Sequence, residues 1–446
     1  MIFSLDVRRA RKGDCLLVHF GSKDDPGLVM IDGGPKGVYA PHLKPRIEQI
    51  RAARALEDEQ SLPVDMLLIS HVDDDHIQGI LDLTKEETVR KAARRACRLK
   101  VLNFWHNSFD EIIDHEPKEL TASLRKQFGE AAVSGGGELS DRARIDIEDR
   151  FDPDDQEMVQ SSLKVLASIA QGFRLRLDAK ALDYPRNLGF GGKLIMAAAG
   201  AKPFTVAKRL KLTVVGPMKP ELKALHKKHV EWLKKLEKEG KSPADALAAY
   251  VDKSVPNLSS IVLWAEADGK TMLLTGDARG DKILEGLQLV GLLGKGTASK
   301  VEVDLLKVPH HGSANNLDRD FFKRIVARHY VFSGNGEHGN PEREALEMLI
   351  GARGNADYEI HLTYPVDEID MERKKDWEKE RNKEVARKKK NPKAKVREKW
   401  SPAKHSLAAL FKNNPKVAGR VRVAGEREAH VIDLGDPLKG AFSSLA

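Results

Sequence analysis

Two cysteines occur in 446 residues, Cys15 and Cys97, far apart and without Cys-x-x-Cys spacing. Their scarcity excludes a disulfide framework and a zinc site built from thiolates, and leaves buried free thiols as the expected state. No window approaches the roughly 18 unbroken apolar residues that a membrane span needs. No membrane partner is therefore expected. The N-terminal text "MIFSLDVRRARKGDC" meets charge at once and holds no signal-peptide core, so a cytoplasmic location is the expectation. No fixed-period repeat runs along the chain.

What is present is a globular composition. With 41% hydrophobic and 32% charged residues, the chain can bury a sizeable core and more than one compact unit. Its net charge of +8 is concentrated in one place. Between Arg373 and Lys399 there are 14 Lys/Arg against 5 Asp/Glu, so this single segment carries the whole excess. Such a run is either a solvated helix with i,i+4 pairs or linker, or a nucleic-acid contact through Lys388, Lys389 and Lys390.

Apolar strand-like runs recur throughout: "MIFSLDV", "CLLVHF", "GLVMID", "VDMLLIS", "VLNFW", "KLTVVGP", "SSIVLWAEA", "TMLLTGD", "VDLLKVPH", "HYVFSG" and "YEIHLTY". Gly, Pro or Asp bounds each of them. Helical patterns alternate with these strands at "HIQGILDLTKEETVRKAARR", "ARGDKILEGLQLVGLL", "NLDRDFFKRIVARH" and "NPEREALEMLIGAR". The fold class is α/β. Residues 108–203 and 219–253 break the rhythm and read as insertions within a domain spanning 1–365. Residues 366–446 read as a charged C-terminal extension.

One stretch carries chemistry. "SHVDDDHIQG", residues 70–79, places two histidines and three aspartates within six positions, directly after an apolar run. Adjacent carboxylates repel at neutral pH, and a cation relieves that repulsion most directly. His71 and Asp73 alternate along extended chain and can face one way. Asp75 and His76 lie in the turn beyond and can reach a second position. Asp74 is out of phase, a solvent-facing or supporting group. An acidic helix N-terminus explains Asp74 and Asp75, but not two histidines at fixed offsets.

The order of motifs resembles the metallo-β-lactamase-fold hydrolases: "GLVMIDGGP" with Asp32, "HVDDDH", "LLTGD" ending at Asp277, and "LKVPHHGS" with His310 and His311. More narrowly, the chain is similar to the hydrolase domain of the ComEC competence proteins, whose LDVGQGD, HxDxDH, NSVL, GD, HHGS and GHP motifs correspond to "FSLDVRRARKGD", "HVDDDH", "NLSSIVLW", "LLTGD", "HHGS" and "GNGEHGNP". The resemblance implies a metallo-β-lactamase-like αββα sandwich with helical insertions. Asp73 stands where most of that superfamily has histidine, and Asn257 and Ser259 stand where its third-motif histidine is expected. One metal position is thus richer in carboxylate, which favours Mn2+ or Mg2+ over Zn2+, whereas intrinsic affinities favour Zn2+. The ComEC membrane channel has no counterpart here, so DNA import is not implied.

The resemblance also implies two divalent ions, Zn2+ or Mn2+. His71, Asp73 and Asp277 would hold one; Asp75, His76, Asp277 and a paired histidine would hold the other. A shared hydroxide would be the nucleophile. Asp32 is expected to orient a ligand histidine, or to be a plain turn aspartate. His311 is assigned as ligand and His310 as the substrate-facing or proton-shuttling group, the reverse being nearly as acceptable. His338 resembles the GHP histidine, a leaving-group acid or phosphate contact, or else is a surface-loop histidine. His106, His226 and His229 look structural. The expected activity is a metal-dependent phosphodiesterase or nuclease. Alternatives are a small-molecule ester or lactone hydrolase and a catalytically dead nucleic-acid or protein-binding module.

Overall fold

The computed structural model describes residues 1–107, 170–219, 259–423, 425 and 429–445. Most of the two insertions, and with them His226, His229 and Asn257, lie outside the described residues. Among those described, three apolar clusters organise a mixed α/β fold.

The apolar runs pair into two large sheets. The first has the order β16-β1-β2-β3-β5-β7 and is built on β1 (Ile2–Val7), β2 (Leu16–Gly21), β3 (Pro26–Ile31), β5 (Met66–Leu68), β7 (Phe104–Trp105) and β16 (His430–Asp433). The second has the order β15-β14-β13-β12-β11-β10-β9-β8. Its strands are β8 (Phe204–Val206), β9 (Leu210–Gly216), β10 (Val262–Ala267), β11 (Lys270–Leu274), β12 (Val301–Lys307), β13 (Ile325–Phe332), β14 (Glu359–Leu362) and β15 (Val421–Val423). A short pair, β4 (Leu62–Val64) with β6 (Leu99–Val101), stands beside them.

Strands bury alternate residues on opposite faces, so each sheet feeds two cores. Phe3, Leu5, Val18 and Met66 of the first sheet pack with Leu212, Leu263, Leu274 and Val331 of the second in one shared cluster. The outer face of the first sheet meets α1 (Lys44–Ala53), α2 (Asp74–Ala92) and α3 (residues 170–181), through Ile47, Ile50, Ile77, Ile80 and Leu175. The outer face of the second meets α4 (Gly280–Leu289), α5 (Arg319–Arg324) and α6 (Arg343–Arg353), through Ile283, Leu287, Phe321, Leu346 and Leu349. Both cysteines are free; Cys15 is buried in the core as expected, whereas Cys97 is only partly buried. No described helix is long and apolar enough to cross a membrane.

Three sequence expectations need correction. The helix expected over "NLDRDFFKRIVARH" stops at Arg324, because the β-branched pair Ile325-Val326 opens the buried strand β13. Residues 366–446 are not a mere extension. β15 pairs in parallel with β14, and β16 pairs antiparallel with β1, so this segment completes an edge of each sheet. Those strands are too short, at three and four residues, to show periodicity amid charged text. The described part of 108–203 is likewise core material, since Leu175 and Ala179 pack under the first sheet and Ile195 packs between the sheets.

Candidate metal centre

The chemistry-bearing residues collect where strands end. β3 runs parallel to β5, and β11, β12 and β13 run parallel to one another. Asp32 follows β3, His71 follows β5, Asp277 follows β11, His310 and His311 follow β12, and Ser333 follows β13. Carboxyl ends of parallel strands are where such folds build sites. The two halves are joined there, since Ile261 N–H donates to Ser70 carbonyl oxygen at 2.8 Å.

Glycine fastens α2 against Asp32. Gly33 N–H donates to His76 oxygen at 2.7 Å and Gly79 N–H to Gly34 oxygen at 3.0 Å. A Cβ on Gly79 would lie 1.9 Å from Gly33 oxygen, so only glycine permits the approach.

Asp277 is the hub. Its Oδ1 lies 3.3 Å from Nε2 of His76 and 3.3 Å from Nε2 of His311. Its Oδ2 lies 3.8 Å from Nε2 of His71 and 3.6 Å from Nε2 of His310. Four imidazole nitrogens thus face one buried carboxylate, two to each oxygen. Burial works to raise the Asp277 pKa, but His310, His311 and His76 outweigh it and hold the carboxyl well below its usual range.

The opposite edges of three of these rings are anchored. Ser70 Oγ donates to Asp32 Oδ2 at 2.6 Å, so it accepts from His71 Nδ1, 3.1 Å away. His76 Nδ1 donates to Asp32 Oδ2 at 2.8 Å. Ser333 Oγ donates to Asp14 Oδ1 at 2.6 Å and so accepts from His311 Nδ1 at 2.9 Å. Each hydroxyl has one proton, and that proton is taken by a carboxylate. Nδ1 therefore carries the hydrogen in all three rings, and Nε2 is the atom presented to Asp277.

These Nε2 atoms of His71, His76 and His311, together with Asp277 Oδ1, are buried with no hydrogen-bond partner among the described residues. Buried polar atoms are rarely left so. The donor set fits a divalent cation, which would satisfy imidazole lone pairs and carboxylate oxygen together. Burial, then the nearby charge of His76, pushes His71 down to about 3, consistent with a neutral ligand ring. For His76, burial lowers the pKa but Asp277 and Asp32 raise it well above the ordinary value. A bound cation would take the place of that Nε2 proton.

The other expected residues surround this hub. Asp73 precedes α2 in extended conformation, its Oδ2 3.8 Å from His71 Nε2. Asp75 Oδ2 lies 4.0 Å from His311 Nε2, on the other side. Asp74 is tied to Gln78 and Gln171. His310 is partly exposed, whereas His311 is buried.

Both residues of this pair adopt left-handed backbone, φ 47° and 55°, and Asp32 does the same at 58°. Such strain costs on the order of 1–3 kcal/mol per residue and persists where the surroundings enforce it. His338 is exposed on the loop after β13, with Nε2 3.1 Å from Lys12 Nζ, outside the buried cluster. His106 is fully buried and stacks on Phe104 at 4.9 Å; burial, with Arg186 and Arg176, holds its pKa well down.

Sequence reasoning missed Asp14, Lys307, Ser70 and Ser333. Donor atoms of Asp14, His76, Asp277 and His311 lie within 4.8 Å of one another. Asp14 nevertheless has both oxygens engaged, Oδ1 by Ser333 and Oδ2 by the buried Lys307 at 2.8 Å, so it supports His311 from behind. Burial would raise its pKa, but Lys307 and His311 hold it well below the usual range. The available signals were the final Asp of "RKGD" and a lysine inside the apolar run "VDLLKVPH".

No protein-family profile matches the chain. It is similar to microtubule-associated protein 1A of Rattus norvegicus, 31% identical over 139 residues, which are 31% of this chain and 5% of that protein. It is also similar to ComE operon protein 3 of Bacillus subtilis, 31% identical over 100 residues, 22% of this chain and 12% of that protein. The microtubule-associated protein futsch of Drosophila melanogaster is 42% identical over 64 residues, 14% of this chain and 1% of that protein. The chain thus spans a small fraction of each relative's length.

Proposed function

We propose that this chain is a metal-dependent hydrolase on a metallo-β-lactamase-like sandwich, with a dinuclear centre acting on phosphodiester bonds, as a phosphodiesterase or nuclease. The observation that carries the reading is the convergence of four histidine Nε2 atoms on the two oxygens of Asp277, three of those nitrogens buried and without partners among the described residues. His76 and His311 would hold one ion with Asp277 Oδ1 and Asp75. His71 and Asp73 would hold the other with Asp277 Oδ2. Bound ions at such a site supply Lewis acidity and a water deprotonated near neutral pH. The chain's own residues do the rest: Asp32 and the Asp14–Ser333 pair fix ring orientation, and the partly exposed His310 is placed to meet substrate oxygen or carry a proton. The likeness to ComE operon protein 3 supports this reading.

The similarity to microtubule-associated proteins favours a second reading, a binding module without turnover. A third keeps the same site for a small ester or lactone. Purified protein assayed for metal, then for cleavage of bis-p-nitrophenyl phosphate, single-stranded DNA and a lactone, separates them. Phosphodiester turnover that a chelator abolishes and Mn2+ or Zn2+ restores is the expected result. Lactone cleavage alone selects the small-molecule hydrolase, and bound metal without any turnover selects the binding module.

A further inference from the structure

A second cluster lies away from Asp277. β13 and β14 run in parallel, with His329 opposite Glu359 and His361 opposite Val331. Partners in register and residues two apart share a face, so His329, Glu359 and His361 project together on the side where Val331 enters the core between the sheets.

Three donor atoms meet there. His329 Nδ1 and His361 Nε2 are 3.1 Å apart; Glu359 Oε2 is 3.3 Å from the first and 3.5 Å from the second. A tetrahedral ion with bonds of about 2.0–2.1 Å sets its ligand atoms about 3.3–3.4 Å from each other. The observed triangle brackets that spacing. A hydrogen bond between the two rings and an ion pair of His329 with Glu359 account for two edges, whereas one shared cation accounts for all three.

The outer atoms of two ligands are also held. His361 Nδ1 lies 3.0 Å from Nε2 of His430 on β16, and Glu359 Oε1 accepts from Arg422 at 2.8 Å. Metal-ligating rings and carboxylates characteristically have such backing. Glu359 keeps 31% of its side chain exposed and His329 14%, against 7% for His361. The cluster therefore opens to solvent on one side, where an ion could enter and water complete the coordination.

We propose that His329, Glu359 and His361 form a second metal site, selective for a zinc-type ion by its two imidazoles. Through His430 it would tie β13 and β14 of one sheet to β16 of the other. This inference does not depend on the activity proposed above.

The test uses the full chain, stripped with chelator and titrated with Zn2+ and Co2+, in four forms: wild type, Asp277→Ala, His329→Ala, and the Asp277→Ala/His329→Ala double variant. Circular dichroism checks folding, and Glu359→Gln serves as a near-isosteric second probe. Asp277→Ala should keep an ion at this site, with the intense visible absorption of tetrahedral Co2+. Adding His329→Ala should remove one equivalent and that absorption, and Glu359→Gln should weaken binding by at least tenfold. Folded Asp277→Ala protein that holds no ion, or stoichiometry unchanged by His329→Ala, would overturn the proposal.

Discussion

Asp32 Oδ2 lies 2.8 Å from His76 Nδ1, both groups buried, and this pairing decides which nitrogen of His76 faces Asp277. Asp32→Asn keeps the shape but can present an amide N–H to the ring. Metal affinity should fall about 10- to 100-fold, the usual range when the group supporting a ligand is removed. Calorimetric titration of stripped protein measures it, and unchanged affinity would make Asp32 a plain turn residue.

Asp277 offers one oxygen to each pair of histidines, so its loss should reach further than that of any terminal ligand. Wild-type protein is expected to carry two ions at this centre, and Asp277→Ala should lose metal there and phosphodiester turnover with it. Elemental analysis beside a turnover assay reads both. A variant with wild-type occupancy would remove Asp277 from the bridging role.

The paired histidines should separate. His311→Ala removes a buried ring held by Ser333, and metal occupancy should drop. His310→Ala removes a partly exposed ring and should leave the metal while lowering kcat by about 10²–10⁴-fold, the scale of a lost proton-transfer group. The opposite pattern would exchange the two assignments.

Acid stability should depend on a pair outside this centre. Arg46 Nε donates to Asp6 Oδ2 at 2.6 Å, and both side chains are buried. Burial would raise Asp6, but the hydrogen bond with His19 and the charges of Arg8 and Arg46 hold it below its ordinary 3.8. A carboxylate with a depressed folded pKa stabilises the protein above the unfolded value and loses that contribution as pH falls through the folded one. Stability should therefore decline once pH drops below 3.8. Arg46→Met, which leaves the charge less compensated, should cost about 3–5 kcal/mol at neutral pH and move acid unfolding to higher pH. Denaturant melts across pH give both numbers.

Most of the basic run lies in a helix, α7 (Val366–Lys390), that begins in the core with Ile369 and Arg373 buried. Lys375 pairs with Glu372 at 2.6 Å, Lys383 with Glu380 at 2.6 Å and Arg397 with Glu384 at 2.9 Å, so part of the charge is satisfied internally. Lys388, Lys389 and Lys390 are exposed in its last turn. If they meet phosphates, replacing all three with Gln should flatten the dependence of log K on log salt by about 0.7 for each single-strand phosphate no longer neutralised. Metal content and cleavage of a small phosphodiester should stay at wild-type level. An unchanged slope would leave a solvated helix.

Much of the layout was legible in the sequence because buried strands must be apolar. Each of the eleven strand-like runs overlaps one or two strands, and "HIQGILDLTKEETVRKAARR" marks α2. His71, His76, His311 and Asp277 could be found because histidines and aspartates at strand ends have few structural reasons to be there. Ser70, Ser333 and Asp14 could not, since a serine that relays a carboxylate to a ring looks like any other until the strands are aligned. His329 and His361 were equally hidden: thirty-two residues separate them, and only the parallel register of β13 and β14 makes them neighbours. Lys307 required knowing that Asp14 lies opposite.

The pairing of β16 with β1 has a consequence for how the molecule is made. β1 leaves the ribosome long before its partner and must wait until residues 430–433 have been synthesised, as β14 waits for 421–423. During translation β1 and β14 therefore stand as sheet edges in place of the short β16 and β15, and buried strands left as edges invite the wrong neighbour. Their covering comes late and joins distant parts of the chain at once, with Met1 and Asp436 meeting at 2.7 Å beside it. A nascent chain stalled before residue 421 would be an aggregation hazard rather than a smaller working protein.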